Sequence, residues 1–210
     1  RVHVFGKSST TLDNPDFVIL FAPASYKAGR VGVLDDFPGF TLGVWQMRPR
    51  SAGYVRIKSK DPDADPSFNP RYLSNDQDLK ILLAAMRAAR TIMATEPLSS
   101  MIARETLPGQ EHETDDQLTA FARQYGATSY HLVGTCRMGQ KNNGKNVVDA
   151  RLRVHGVSGL RVVDASVMPM IPSANTAAAT MMIGEKGSDM IIEDNRLDQR
   201  GINNSGKKCI

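Results

Sequence analysis

Cysteine is scarce in this chain. Only Cys136 and Cys209 occur among its 210 residues, so a disulfide framework is not expected and a reducing compartment is the simpler reading. Aromatic residues make up 6%, which leaves little surface for stacking single-stranded bases. The net charge of +4 is mild, and its lysines and arginines are interspersed with acids except near the end, where Arg196, Arg200, Lys207 and Lys208 outnumber Asp198. No concentrated basic face results, so no nucleic-acid partner is expected. No apolar run approaches the ~20 residues of a membrane helix. The four histidines and two cysteines never fall at the spacing of a zinc site, so no metal is expected. His155-Gly-Val-Ser-Gly159 misses the nucleophile-elbow pattern of a serine hydrolase. The opening, Arg1-Val-His-Val-Phe5, has neither an initiator methionine nor a signal-peptide profile. The chain is therefore expected to begin inside a larger, cytoplasmic protein, whose membrane association stays open.

What is present reads as one large or two modest domains. Residues 16–26 form a short apolar run bounded by prolines, a strand signal. Phe40, Leu42 and Val44 predict a second strand, Pro49 to Gly53 a turn, and the alternation in Tyr54-Val-Arg-Ile-Lys58 a third strand, antiparallel to the second. Asp61-Pro62, Asp65-Pro66 and Asn69-Pro70 push the chain out of helix, so 61–70 reads as loop. Ser74 with Gln77 makes a capping box, and Leu79, Leu82, Leu83, Met86, Ala89 and Met93 repeat at helical spacing before Pro97. Thr114 with Gln117 repeats the signal, followed by Leu118, Phe121, Ala122 and Tyr125, with Gly126 as terminator. Both apolar stripes read as core. Val147-Val148, Leu152-Arg-Val154 and Leu160-Arg-Val-Val163 predict short strands, the last one buried and ending at Asp164. A proline-rich connector, 168–172, leads to a small-residue helix from about Asn175 to Ile192. Residues 195–210 read as a mobile tail.

Two segments carry chemistry. Ser129-Tyr-His131-Leu-Val-Gly-Thr-Cys-Arg-Met-Gly139 holds one histidine in a loop of small, turn-forming residues. An imidazole titrating near ~6.5 can take and return a proton at neutral pH; the plainer alternative is a histidine bonded to a backbone carbonyl. His3, His112 and His155 have weaker settings. In the second segment, an acid at a strand end, Asp164, would fall where open α/β sheets bind ligands. The following helix opens with Ala174, Asn175, Thr176 and three alanines, which permit close approach of a planar ligand, and its N-terminal amides favour negative charge. A simple capping role for Asn175 is the alternative.

The strings Trp45-Gln-Met-Arg-Pro-Arg-Ser-Ala-Gly53, Asn69-Pro-Arg-Tyr-Leu73, Tyr130 to Gly139, Val148 to Pro169 and Ser173-Ala-Asn-Thr176, taken in order, resemble the glucose–methanol–choline family of FAD-dependent oxidoreductases. The likeness is to its bacterial choline- and alcohol-dehydrogenase-like members, and it covers the chain to about residue 194. It implies an α+β fold: an antiparallel substrate-domain sheet with helices in 1–140, incomplete at its start, and a strand and helix returning to an FAD-binding α/β domain in 141–194. His131 matches the family's active-site histidine and Asn175 its partner position, histidine or asparagine among members. Asp164, Ala165, Asn175 and Thr176 match positions that touch FAD. Leu132 departs from the proline many members have after the histidine.

The implied reaction is oxidation of a primary alcohol, choline-like or other, to an aldehyde by hydride transfer to flavin. The family binds the ADP part of FAD through an N-terminal G-x-G-x-x-G, and no such string occurs here. The resemblance thus makes the chain the C-terminal two-fifths or so of an enzyme, inactive alone, whose partners are a small alcohol, the N-terminal FAD-binding half and an unnamed electron acceptor. A cyanohydrin-cleaving lyase on the same scaffold and a silent binding module are the alternatives.

Overall fold

The structure is a computed structural model that describes residues 2–30, 32–141 and 144–205, the last nine or so of these as backbone only. It divides into two compact units, Arg1–Tyr130 and His131–Ile210. The fold is α+β, with antiparallel sheets and three α-helices among the described residues.

In the first unit, β1 (Val2–Gly6), β2 (Phe17–Ala22) and β3 (Thr41–Gln46) form an antiparallel sheet in that order. The central strand opens on Phe17, Val18 and Ile19, all buried, because consecutive residues of a central strand face opposite sides and both sides are covered. Phe17 and Ile19 pack with Ala85 and Ala89 of α1 (Asp76–Met93). The sequence carries no strand signal for β1. Its Val2, Val4 and Phe5 stay exposed, so no one-sided apolar pattern marks it as a strand.

The expected hairpin between 40–47 and 54–58 does not form. β3 pairs with β2, while β4 (Tyr54–Arg56) pairs antiparallel with β5 (Ser67–Asn69), inside the stretch read as loop. Pro66 and Pro70 flank β5 and leave three donor-bearing residues between them, enough for a short ladder.

Both helices of this unit lie where their caps and stripes place them. Asn75, not Ser74, caps α1, accepting from the Gln77 amide at 3.0 Å; the left-handed turn at Arg71 and Leu73 sets the entry one residue later. Thr114 and Gln117 form the expected capping box of α2 (Asp115–Tyr125), whose Leu118 and Ala122 are buried.

The second unit is built on Val148, Leu152, Val167, Met168 and Ile183. The strands expected at 147–148, 152–154 and 160–163 are reduced to isolated bridges, Met138 with Val148, Val148 with Val154 and Arg153 with Arg161. Leu160 is exposed, so the segment before Asp164 is no buried strand. α3 (Ala177–Ser205) begins after Asn175 and continues past Ile192. Residues 195–205 of the expected tail thus lie in this helix, and 206–210 fall outside the described residues. Arg151 and Arg161 clasp the helix. Arg151 bonds Asp194 at 2.7 Å and Glu193 at 3.1 Å, and Arg161 pairs with Asp194. At Gly187 a Cβ would come within 2.4 Å of a Val163 methyl, so only glycine lets α3 lie this close.

Candidate active site

The loop 131–139 is held by its backbone. The Cys136 amide donates to the Ser166 carbonyl at 3.0 Å, the Met138 amide to Val167 at 2.8 Å and the Gly139 amide to Val148 at 3.0 Å. Gly134 has φ +87°, and a Cβ there would sit 3.4 Å from the Met168 carbonyl. Such a left-handed turn against another backbone favours glycine. These bonds attach the loop to the short 3-10 turn Ala165–Val167.

Asp164 starts that turn. Its Oδ1 accepts from the Ser166 amide at 2.7 Å, and its Oδ2 has no partner among the described residues. Val167 and Met168 anchor the turn in the core, and the connector beyond them reaches Asn175. There the amide nitrogen of Asn175 lies 3.4 Å from Nε2 of His131. The two side chains thus meet across 44 positions of sequence. Asn175 precedes the first helical residue by two positions, and its side-chain nitrogen is directed to the histidine. Thr176 accepts from both the amide and the hydroxyl of Thr180 through its carbonyl, at 2.9 and 2.8 Å, and so opens the helix.

At 3.4 Å the His131–Asn175 contact is longer than a typical hydrogen bond. With the asparagine amide as donor, Nε2 of His131 accepts through its single lone pair, which an entering hydroxyl would take over by donating to Nε2 while accepting from the amide. Such a hydroxyl could meet both groups at once. The structure does not join every expected residue to this pair: Asp164 and Ala165 belong to the 3-10 turn, and none of their hydrogen bonds runs to His131 or Asn175. No group of three or more metal-binding side chains occurs among the described residues. Cys136 is a free thiol, and Cys209 lies outside the described residues. No helix among those residues is long and apolar enough to cross a membrane.

Leu132, Met170, Met181 and Met182 are exposed. His155, outside the loop, makes a contact that the sequence undervalues: its Nε2 lies 2.9 Å from the Gly139 carbonyl. Nothing in the spacing of His155 to the loop signals this contact.

Comparison with known proteins supplies the family. Residues 49–184 match the family model described as GMC oxidoreductase. The chain belongs to the GMC oxidoreductase family, whose members bind FAD. Its relatives include the oxygen-dependent choline dehydrogenase of Escherichia coli O157:H7, 47% identical over 73% of this chain and 27% of that protein. Among solved structures, pyridoxine 4-oxidase from Mesorbium loti aligns with a TM-score of 0.80 at 28% identity, over 89% of this chain and 36% of its own. A fungal aryl-alcohol oxidase aligns with a TM-score of 0.69 at 30% identity, over 86% and 28%. The chain thus spans about a quarter of the length of the curated relatives it matches.

Proposed function

We propose that this chain is the catalytic, C-terminal portion of an FAD-dependent dehydrogenase-like oxidoreductase acting on a primary alcohol, choline-like or other, to give the aldehyde. The observation that carries the reading is the 3.4 Å approach of Asn175 to His131, in a family whose named relatives oxidise choline, pyridoxine or aryl alcohols.

In this reading His131 takes the hydroxyl proton through Nε2, and Asn175 holds the same oxygen through its amide N–H as negative charge develops on it. Bound FAD supplies the two-electron acceptor for the hydride that leaves the substrate carbon. Proton and hydride together convert the alcohol to the aldehyde. The donor set fits one side of such a cofactor. Asp164 offers an unengaged carboxylate oxygen, Ala165, Ala174, Ala177 and Ala178 present no bulk, and the first amides of α3 lack acceptors within the helix and favour negative charge. Asp164, Ala165, Asn175 and Thr176 are the residues assigned to hold it. The second unit would then be the part that returns to the FAD-binding domain, and the first the substrate-binding part, in a cytoplasmic enzyme completed by an FAD-binding N-terminal region.

The test is rapid-mixing flavin reduction by alcohol in the complete protein that contains this chain. His131→Ala is expected to slow reduction by ~10²-fold or more, the scale of acid–base catalysis. An unchanged rate would overturn the assignment. Cyanohydrin cleavage without flavin reduction would move the protein to the lyase reading.

A further inference from the structure

His155 contributes a side-chain bond at the far end of the histidine loop, beside one from Asn146 to the Gln140 carbonyl at 3.0 Å. Its Nε2 lies 2.9 Å from the Gly139 carbonyl, an oxygen that can only accept, so His155 carries its proton on Nε2 and donates it. The backbone of the same residue donates to the Val147 carbonyl at 2.9 Å, and the Val147 amide donates to Arg137 at 2.9 Å, while Gly139 returns a bond to Val148. One residue therefore joins three neighbouring segments, 137–139, 147–148 and 154–155. On its other side the loop is bonded to Ser166 and Val167, at the start of the connector that ends at Asn175. The region has isolated bridges rather than a regular ladder, so its path is set by individual hydrogen bonds, of which the His155 side chain supplies one.

From this geometry we propose that His155 is a positioning residue for the His131–Asn175 pair. By holding Gly139 against the 147–155 segments it keeps the loop seated on the 165–167 turn, and so sets the separation of the two acting groups. It touches neither of them. A misplacement of about 1 Å far from the chemistry is enough to cost up to ~10²-fold in rate. The proposal rests on His131 and Asn175 being the acting pair, and its test is read without turnover.

The experiment compares His155→Phe and His155→Gln in the isotope-labelled 210-residue chain by NMR. Phenylalanine fills the space and cannot donate; glutamine keeps a side-chain N–H that can reach the Gly139 carbonyl. In His155→Phe the ring cross-peaks of His131 and the side-chain amide of Asn175 are expected to shift together with the Cys136 to Gly139 amides, and in His155→Gln to return toward the parent positions. His131 and Asn175 signals that stay put in His155→Phe while Gly139 moves would confine the bond to local structure and overturn the proposal. Loss of folding in both variants would overturn it too, since it would make His155 a residue of global stability. In the complete enzyme, His155→Phe is expected to lower kcat about ten-fold with KM little changed, and His155→Gln to restore most of it. If His131→Ala leaves flavin reduction intact while the NMR shifts occur, the reaction assignment fails and the tether stands.

Discussion

Asp78 shows how much one residue can do beyond its apparent role. In the sequence it is an acid in the first turn of α1, suited to the helix dipole. In the structure it is 1% exposed, and its carboxylate accepts from the Arg50 amide at 2.8 Å, the Ser51 amide at 2.7 Å and the Ser51 hydroxyl at 2.5 Å. It therefore holds the segment after β3 against the helix. Asp78→Ala would leave two backbone amides without their acceptor, and the expected loss is about 3 kcal/mol, read as a lower urea midpoint of the first unit. A midpoint unchanged by the substitution would show that water replaces the carboxylate without cost. Asn175 has the opposite history. Its sequence setting left capping and a site role both open, and its amide, 3.4 Å from His131, is directed to the histidine. Residue type was legible in both cases; the partners of Asp78 were not, because they lie tens of residues away along the chain, whereas the family resemblance pairs Asn175 with His131.

Among the elements, α3 combines an apolar stripe through Ala179, Ile183 and Met190 with a charge clasp. Hydrogen bonds from Arg161 first, and then from Arg151, hold the Asp194 carboxyl below the usual carboxylate range, and the same contacts raise Arg151. At Asp149 burial works to raise the pKa, but bonds from the Arg153 amide and guanidinium and from the Arg151 amide outweigh it, so this carboxyl too is lowered. A carboxyl with a lowered folded-state pKa stabilises the fold fully above its unfolded value near ~3.9, and the contribution is lost as pH falls through the folded value. Arg161→Gln is therefore expected to lower the thermal midpoint at pH 7, and the difference from the parent chain to shrink as pH falls below the unfolded value near ~3.9. A penalty equal at both pH values would assign the effect of Arg161 to packing. The helices and their caps were readable to within a residue or two at their starts, since capping and i, i+4 periodicity are local. Strand pairing was not: β4 found β5 rather than β3, and the 147–163 segments bridge singly, because a strand's partner is chosen by what else competes for its edge.

For the whole molecule, the family places the chain among FAD enzymes, yet it spans only 27% of a choline dehydrogenase relative. The proposal that it is a portion of a larger enzyme has a direct measurement in titration of the 210-residue chain with FAD, followed by flavin fluorescence and the visible spectrum. No saturation is expected at about 100 μM, equivalent to about −5.5 kcal/mol; tight saturable binding would show that these residues form a cofactor pocket unaided. The sequence alone determined where the helices start, to within two residues, and the family, through strings whose meaning survives in isolation. Tertiary structure alone decided the sheet partners, the buried place of Asp78, the meeting of His131 with Asn175 and the bond from His155 to Gly139. The physical reason is the range of the forces concerned. Caps, turns and motifs act between residues a few positions apart and are written in the chain, whereas a hydrogen bond between distant residues exists only after the core has brought them together.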